Sequence, residues 1–241
     1  KIGNKLYTYG GEKSKKYVSD LRVLDTRTMK LATVEHENKE FFVPVLAGHT
    51  MCTIRDELLL FGGVDNNDML QGTLYSYHTV SKLWSAQTVS PTHGPSSREG
   101  HNSVVIYDPV LCDFSMYVMF GRTNNGLVND MYVYKDSSKE WRKISYGTCD
   151  ANVPPPRYYS STVFYRAKFY VIGGIKNQGI RSELKMYVFN VEEEKWENPI
   201  NLPHGYFDRG YSEHVATIVH NKMIIVGGVS DSKPGDPHYP K

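Results

Sequence analysis

The chain has 241 residues, of which 40% are hydrophobic and 12% aromatic, with 20 Gly, 12 Pro and 18 Tyr, and its formal charge is +2. That length can bury a substantial core as one large all-β domain or two smaller ones. The near-neutral charge excludes a strongly electrostatic nucleic-acid binder and leaves nucleic acid only through a local basic patch, and no apolar run reaches the ~20 residues of a membrane span.

The first apolar run, Leu6-Tyr7-Thr8-Tyr9, ends at Gly10-Gly11, and the same arrangement returns along the chain. Leu59-Leu60-Phe61 precedes Gly62-Gly63, Tyr170-Val171-Ile172 precedes Gly173-Gly174, and Ile224-Ile225-Val226 precedes Gly227-Gly228. Between them Tyr117-Val118-Met119-Phe120 leads into a degenerate pair, Gly121-Arg122. The intervals from 10 to 62, 121, 173 and 227 are 52, 59, 52 and 54 residues. A strand followed by two residues free to take unusual backbone angles reads as strand and sharp turn, and a period of about fifty residues marks a repeat architecture.

A third strand follows each of the first four turns: Leu21-Arg22-Val23-Leu24, Leu74-Tyr75-Ser76-Tyr77, Met131-Tyr132-Val133-Tyr134 and Met186-Tyr187-Val188-Phe189. Seven residues after the last member of each stand Leu31, Trp84, Trp141 and Trp196. That fixed spacing predicts a short hairpin into a fourth strand. A first strand precedes four of the glycine pairs, beginning near Gly48-His49, Gly100-His101, Ser160-Ser161 and His214. Each unit is then four strands. The chain starts without Met and closes on a Pro/Gly segment, which reads as a piece of a longer protein.

The paired glycines, the Asn129-Asp130-Met131-Tyr132 form of the third strand and the trailing Trp resemble the kelch repeat over nearly the whole chain. The resemblance implies an all-β, kelch-type β-propeller. Its four-stranded blades would span about residues 1–40, 45–92, 96–148 and 155–203, with a partial fifth at about 207–241. Four to five blades are seen, as part of a five- to seven-bladed ring. Gly10, Gly11, Gly62, Gly63, Gly121, Gly173, Gly174, Gly227 and Gly228, with Trp84, Trp141 and Trp196, are its structural markers. Leu31 departs from the pattern in the first unit, Arg122 in the third pair, and Leu46 where other units carry Arg.

Loops before the first strands and after the glycine pairs share one face of such a disc. Arg98, Arg157 and Arg209 each precede a matching Val (104, 163, 215) by six residues. Tyr158, Tyr159 and Tyr211 lie beside them, and Asn124, Asn125, Lys176 and Asn177 lie on neighbouring loops. Arg and Tyr supply large contact area with fixed hydrogen-bond geometry, so these ten residues form the candidate partner-binding surface. The alternative is that the arginines brace neighbouring blades. His49 and His101 read as structural.

No HExxH, Walker-type loop, G-x-S-x-G elbow or paired acid motif is present, so no catalytic residue, metal site or cofactor is assigned. Cys52, Cys112 and Cys149 show no CxxC spacing and form an odd set, and there is no Asn-x-Ser/Thr sequon. Both features direct the expectation to an intracellular protein of cytoplasm or nucleus, not a membrane. The resemblance implies a non-catalytic binding module or scaffold subunit of a larger complex, whose partner is another protein. A fainter resemblance, through Lys13, Lys15 and Lys16 after Gly11 and the Met29-Lys30-Leu31 segment, is to the kelch propeller of recombination-activating protein two. It implies the alternative of an accessory subunit of a DNA recombinase. An enzyme on a kelch propeller is the third reading.

Overall fold

The computed structural model of the chain describes residues 1–14, 16–90, 92–146, 151–177, 185–202 and 210–230. Among them the named elements are β-strands, in antiparallel sheets that follow chain order. This is the kelch-type β-propeller fold. Contacts divide the chain into two compact units, Lys1–Val118 with Tyr132–Lys143, and Met119–Met131 with Ile144–Lys241.

In the first unit, β1 (Lys5–Tyr9) is followed by a small projecting hairpin, β2 (Glu12–Lys13) and β3 (Lys16–Tyr17), and then by β4 (Leu21–Asp25) and β5 (Lys30–Thr33). β1, β4 and β5 form a three-stranded sheet. β6 (Thr50–Ile54), β7 (Glu57–Phe61), β8 (Thr73–His78) and β9 (Leu83–Thr88) form a complete four-stranded blade. The next blade uses β10 (Asn102–Asp108) and β11 (Asp113–Met119), then a second small hairpin, β12 (Arg122–Thr123) and β13 (Gly126–Leu127), and finally β14 (Met131–Lys135) and β15 (Glu140–Lys143). In the second unit β16 (Ser161–Tyr165), β17 (Lys168–Ile172), β18 (Lys185–Asn190) and β19 (Lys195–Asn201) make another four-stranded blade, and β20 (Tyr211–Val219) pairs with β21 (Lys222–Ser230).

The seven-residue spacing becomes a cross-strand pair. Leu24 faces Leu31, Tyr77 faces Trp84, Tyr134 faces Trp141 and Phe189 faces Trp196. Two residues before each of these fourth-strand positions the chain turns through a left-handed φ of 49–57°, at Met29, Lys82, Lys139 and Glu194. Such a residue lets a short loop match the twist of its strands. Each Trp also reaches a ring of the preceding repeat. Trp84 lies 5.6 Å from Tyr9, Trp141 5.7 Å from Phe61 and Trp196 6.2 Å from Phe120, within the range of favourable aromatic contact. Leu31 is 59% exposed.

The glycine pairs act as clamps between consecutive repeats. The second glycine's amide donates to a carbonyl at the head of the next first strand: Gly11 to Leu46, Gly63 to Arg98 and Gly174 to Tyr211, all at 2.8 Å. A Cβ on the first glycine would lie 2.5 Å from the Leu46 oxygen at Gly10, 2.5 Å from that of Arg98 at Gly62 and 2.4 Å from that of Tyr211 at Gly173. It would also crowd the imidazole three residues further on, at His49, His101 and His214.

The third clamp differs from its sequence reading. Gly121, at φ 112°, donates to the Arg157 carbonyl at 2.8 Å and therefore holds the second place, while Phe120, at φ 64°, holds the first. The amides of Phe120 and Gly10 make the same 3.2 Å bond, to Asp130 and Asp20 respectively. Arg122 thus lies beyond the pair. Where the other three repeats carry His opposite the first glycine, this one carries Ser160. A large residue on one side goes with a small one on the other, as close packing demands.

This pairing yields an expected outcome. Ser160→His alone destabilises the protein, and Phe120→Gly in the same chain restores part of the loss. A double-mutant cycle by urea unfolding reads a coupling of about 0.5–3 kcal/mol. Additive single effects overturn the size-complementarity reading.

Candidate interaction surface

The arginines are placed by the heads of the first strands. Arg98 and Arg157 are 0% exposed. Arg157 donates from Nε to the Pro155 carbonyl at 3.0 Å and from Nη1 to the Gly173 carbonyl at 2.9 Å, and its guanidinium lies 4.7 Å from the Tyr187 ring centroid. Arg98 repeats this, with Nε to the Ser96 carbonyl at 3.0 Å and its guanidinium 5.7 Å from Tyr132. Burying a cation is tolerated where carbonyls and an aromatic face replace its water. The expected exposed arginine row is therefore corrected at these two positions: both side chains brace their own blade, and their carbonyls receive the preceding clamp. Arg209 lies outside the described residues. Tyr211 supplies the carbonyl equivalent to those of Arg98 and Arg157, so the match on Val215 is two residues out of register.

Tyr158 and Tyr159 are half-buried neighbours with ring centroids 4.9 Å apart. Tyr158 bridges to Ile175 through bonds of 3.1 and 2.8 Å. Tyr159 takes φ 54°, the place held by Gly48 and Gly100 elsewhere, and its carbonyl accepts the Glu213 amide at 3.0 Å. Tyr211 and Lys176 are half-buried. Asn124, Asn125 and Asn177 are exposed. The turn between β12 and β13 is fixed from beneath, because the buried Thr123 hydroxyl donates to the Gly126 carbonyl at 2.8 Å and accepts the Asn125 amide at 3.2 Å. In the first unit Lys13 and Lys16 are exposed on the β2–β3 hairpin, at positions equivalent to this turn. Lys15 lies outside the described residues.

Burial pushes the His49 imidazole down to about 4, partly offset by the Tyr9 and Leu46 carbonyls. It holds His101 and His214 below the ordinary value as well. His101 Nε2 shares a 2.7 Å bond with the Thr50 hydroxyl across to the neighbouring first strand. Burial raises the Cys52 thiol, whose sulfur lies 2.9 Å from the Ser103 hydroxyl in the next such rung. A thiol held protonated is a poor nucleophile. Among the described residues no group of three or more His, Cys, Asp or Glu could hold a metal, and no helix is long and apolar enough to cross a membrane.

Sequence reasoning missed the Phe120–Ser160 exchange and a cleft over Trp84. The first had a signal, the lone Ser in a column of histidines. The second had none in the repeat pattern, because Glu35, His36, Phe41, Phe42 and Val43 of its lining lie in the linker between repeats.

The family described as "KLHDC2/KLHL20/DRC7 Kelch-repeats domain" matches residues 1–148 and 48–239. Among similar proteins, acyl-CoA-binding domain-containing protein 4 of Arabidopsis thaliana is 27% identical over 97% of this chain and 34% of its own length. Kelch domain-containing protein 3 of Homo sapiens is 25% identical over 94% of this chain and 62% of its own. Tip elongation aberrant protein 3 of Schizosaccharomyces pombe is 24% identical over 79% and 19%. The chain thus spans less than two thirds of the length of these relatives.

Two outcomes are expected. Arg157→Ala leaves two carbonyls without their donor and costs about 2–6 kcal/mol in urea unfolding, at about 1–3 kcal/mol each; a change within about 0.5 kcal/mol, as at an exposed site, overturns the bracing role. The folded protein holds His49 neutral down to about 4, whereas the unfolded chain takes up a proton near 6.5. Stability is therefore lost as pH falls from 6.5 toward 4, by on the order of 2 kcal/mol at pH 5 from this group. His49→Gln flattens that part of the profile.

Proposed function

Because the chain belongs to the kelch-repeat family, we propose that it is a non-catalytic protein-binding module whose contacts lie on the loops after the glycine pairs. The observation that carries this reading is the pair of projecting hairpins, β2–β3 and β12–β13, at equivalent places in the repeat. Each stands on a clamp that fixes its base. The tips carry polar side chains, Lys13 and Lys16 on one and Asn124 and Asn125 on the other, all exposed. Rigidly held, exposed polar groups bind with less entropy lost on association. After the next clamp of the second unit stand Asn177, also exposed, and half-buried Lys176. The proposal includes membership of a larger complex in cytoplasm or nucleus.

The test is recovery of bound proteins from source cells with the wild type and with two variants, Lys13→Glu/Lys16→Glu and Asn124→Glu/Asn125→Glu. A partner that falls at least ten-fold on one or both variants, with unfolding free energy unchanged within about 0.5 kcal/mol, is the expected result. An unchanged partner set on both overturns the loop-face reading. Duplex DNA binding that is lost with the lysines and falls steeply with salt would favour the recombinase-accessory alternative instead.

A further inference from the structure

A cleft of about 280 Å³ opens in the first unit over Trp84, with Tyr9, Phe41 and Phe42 in its walls and Asp20 and Glu35 at its lining. The repeat explains why it is open. The amides of Val34 and Ile144 make the same bond in their repeats, to the Leu21 carbonyl at 2.8 Å and the Met131 carbonyl at 2.9 Å. Two residues further on stand His36 and Tyr146. Tyr146 covers its tryptophan: its ring lies edge-on to Trp196 at 6.0 Å and 6.2 Å from Phe189, and its hydroxyl donates to the Asn129 carbonyl. His36 instead has Nδ1 3.1 Å from the Asn38 carbonyl, and Trp84 keeps an open space beside it.

The strap that forms the outer wall is held firmly. Asn38 grips the Trp84 backbone from both sides, donating to its carbonyl at 2.8 Å and accepting its amide at 3.1 Å. Beyond Phe42 the Tyr9 hydroxyl donates to the Pro44 carbonyl at 2.9 Å. Phe42 is 78% exposed between these two anchors. A fixed, exposed aromatic beside a cleft has the character of an interface hot spot.

The geometry points to this cleft as a receptor for an arginine side chain on a peptide segment of a protein partner. Its aromatic walls suit the alkyl stem and the flat guanidinium face. Its carboxylates suit the guanidinium edge, since Arg–carboxylate bonds are charge-assisted and directional. Among the described residues the two carboxylates are held by exposed ion pairs, Asp20 with Arg22 at 2.7 Å and Glu35 with Lys39 at 2.6 Å. Such pairs exchange at little cost. The inference rests on the protein-binding reading and adds to it a second contact, away from the hairpin tips, with a stated chemistry.

The test uses the whole chain and the peptide acetyl-Ala-Leu-Arg-Phe-Ala-amide, with the citrulline peptide as a neutral isostere, read by shifts of the tryptophan indole resonances. Saturable binding of the arginine peptide is expected, at least ten-fold weaker for citrulline and for Asp20→Asn/Glu35→Gln. His36→Tyr reproduces the lid supplied by Tyr146, so it should abolish binding while leaving the melting temperature unchanged or raised. Absence of saturable binding at millimolar peptide, equal binding of citrulline, or undiminished binding by His36→Tyr overturns the inference. Protein recovery with the hairpin variants is a separate readout, so a failed cleft leaves the loop-face reading standing, and a failed loop face with intact peptide binding locates recognition here.

Discussion

The amide of the second residue in the first four glycine pairs reaches a carbonyl at the head of the next repeat's first strand, each time by a 2.8 Å bond. That one contact sets how near one repeat comes to the next. In three of the clamps a Cβ on the first glycine would stand within 2.5 Å of the accepting oxygen, while in the fourth Phe120 holds that place. The bond also fixes the base of each loop that follows. The tryptophans close the same junction further along the sheets, where the gap is wide enough for two rings.

Much of the fold was legible because its chemistry is periodic. A Gly-Gly after an apolar run and a large residue seven positions beyond a Tyr-rich strand both follow from local geometry. They become, respectively, a left-handed turn and a directly opposed cross-strand pair. What the pattern could not convey was which member of a recurrent pair is indispensable. Gly121 alone satisfies the clamp, and Phe120 adopts φ 64° despite its side chain, so the degenerate pair sits one residue earlier than its letters suggest.

The candidate surface was less legible, for a related reason. A residue recurring at one place in a repeat answers to whatever is the same in every repeat, and that is the junction between blades. Arg98 and Arg157 recur because each junction needs its strand head fixed, and they are buried accordingly. Recognition calls for what differs between repeats: the hairpins after Gly11 and Gly121, the acidic aromatic strap beside Trp84, the His36 that stands where another repeat has Tyr146. Linker residues such as Glu35 and Phe42 have no partner in the periodic pattern, and Asp20, though it matches Asp130, draws its role from them, so no alignment of the repeats singles them out.

The Phe120–Ser160 exchange also bears on the order in which sequence change can proceed. Starting from Gly opposite His, placing Phe first drives an aromatic ring toward an imidazole in a space where even a single carbon would stand 2.6–3.3 Å from the ring at the other junctions. Placing Ser first leaves a void, a loss that scales with the space left empty and that nearby atoms partly relieve. The route through Ser is therefore the passable one. Return follows the same path backwards, with Phe removed before His is restored, because the opposite order recreates the collision. The junction thus sets the order in which its two sides can change, letting one repeat differ from its siblings in sequence while it keeps their 2.8 Å bond.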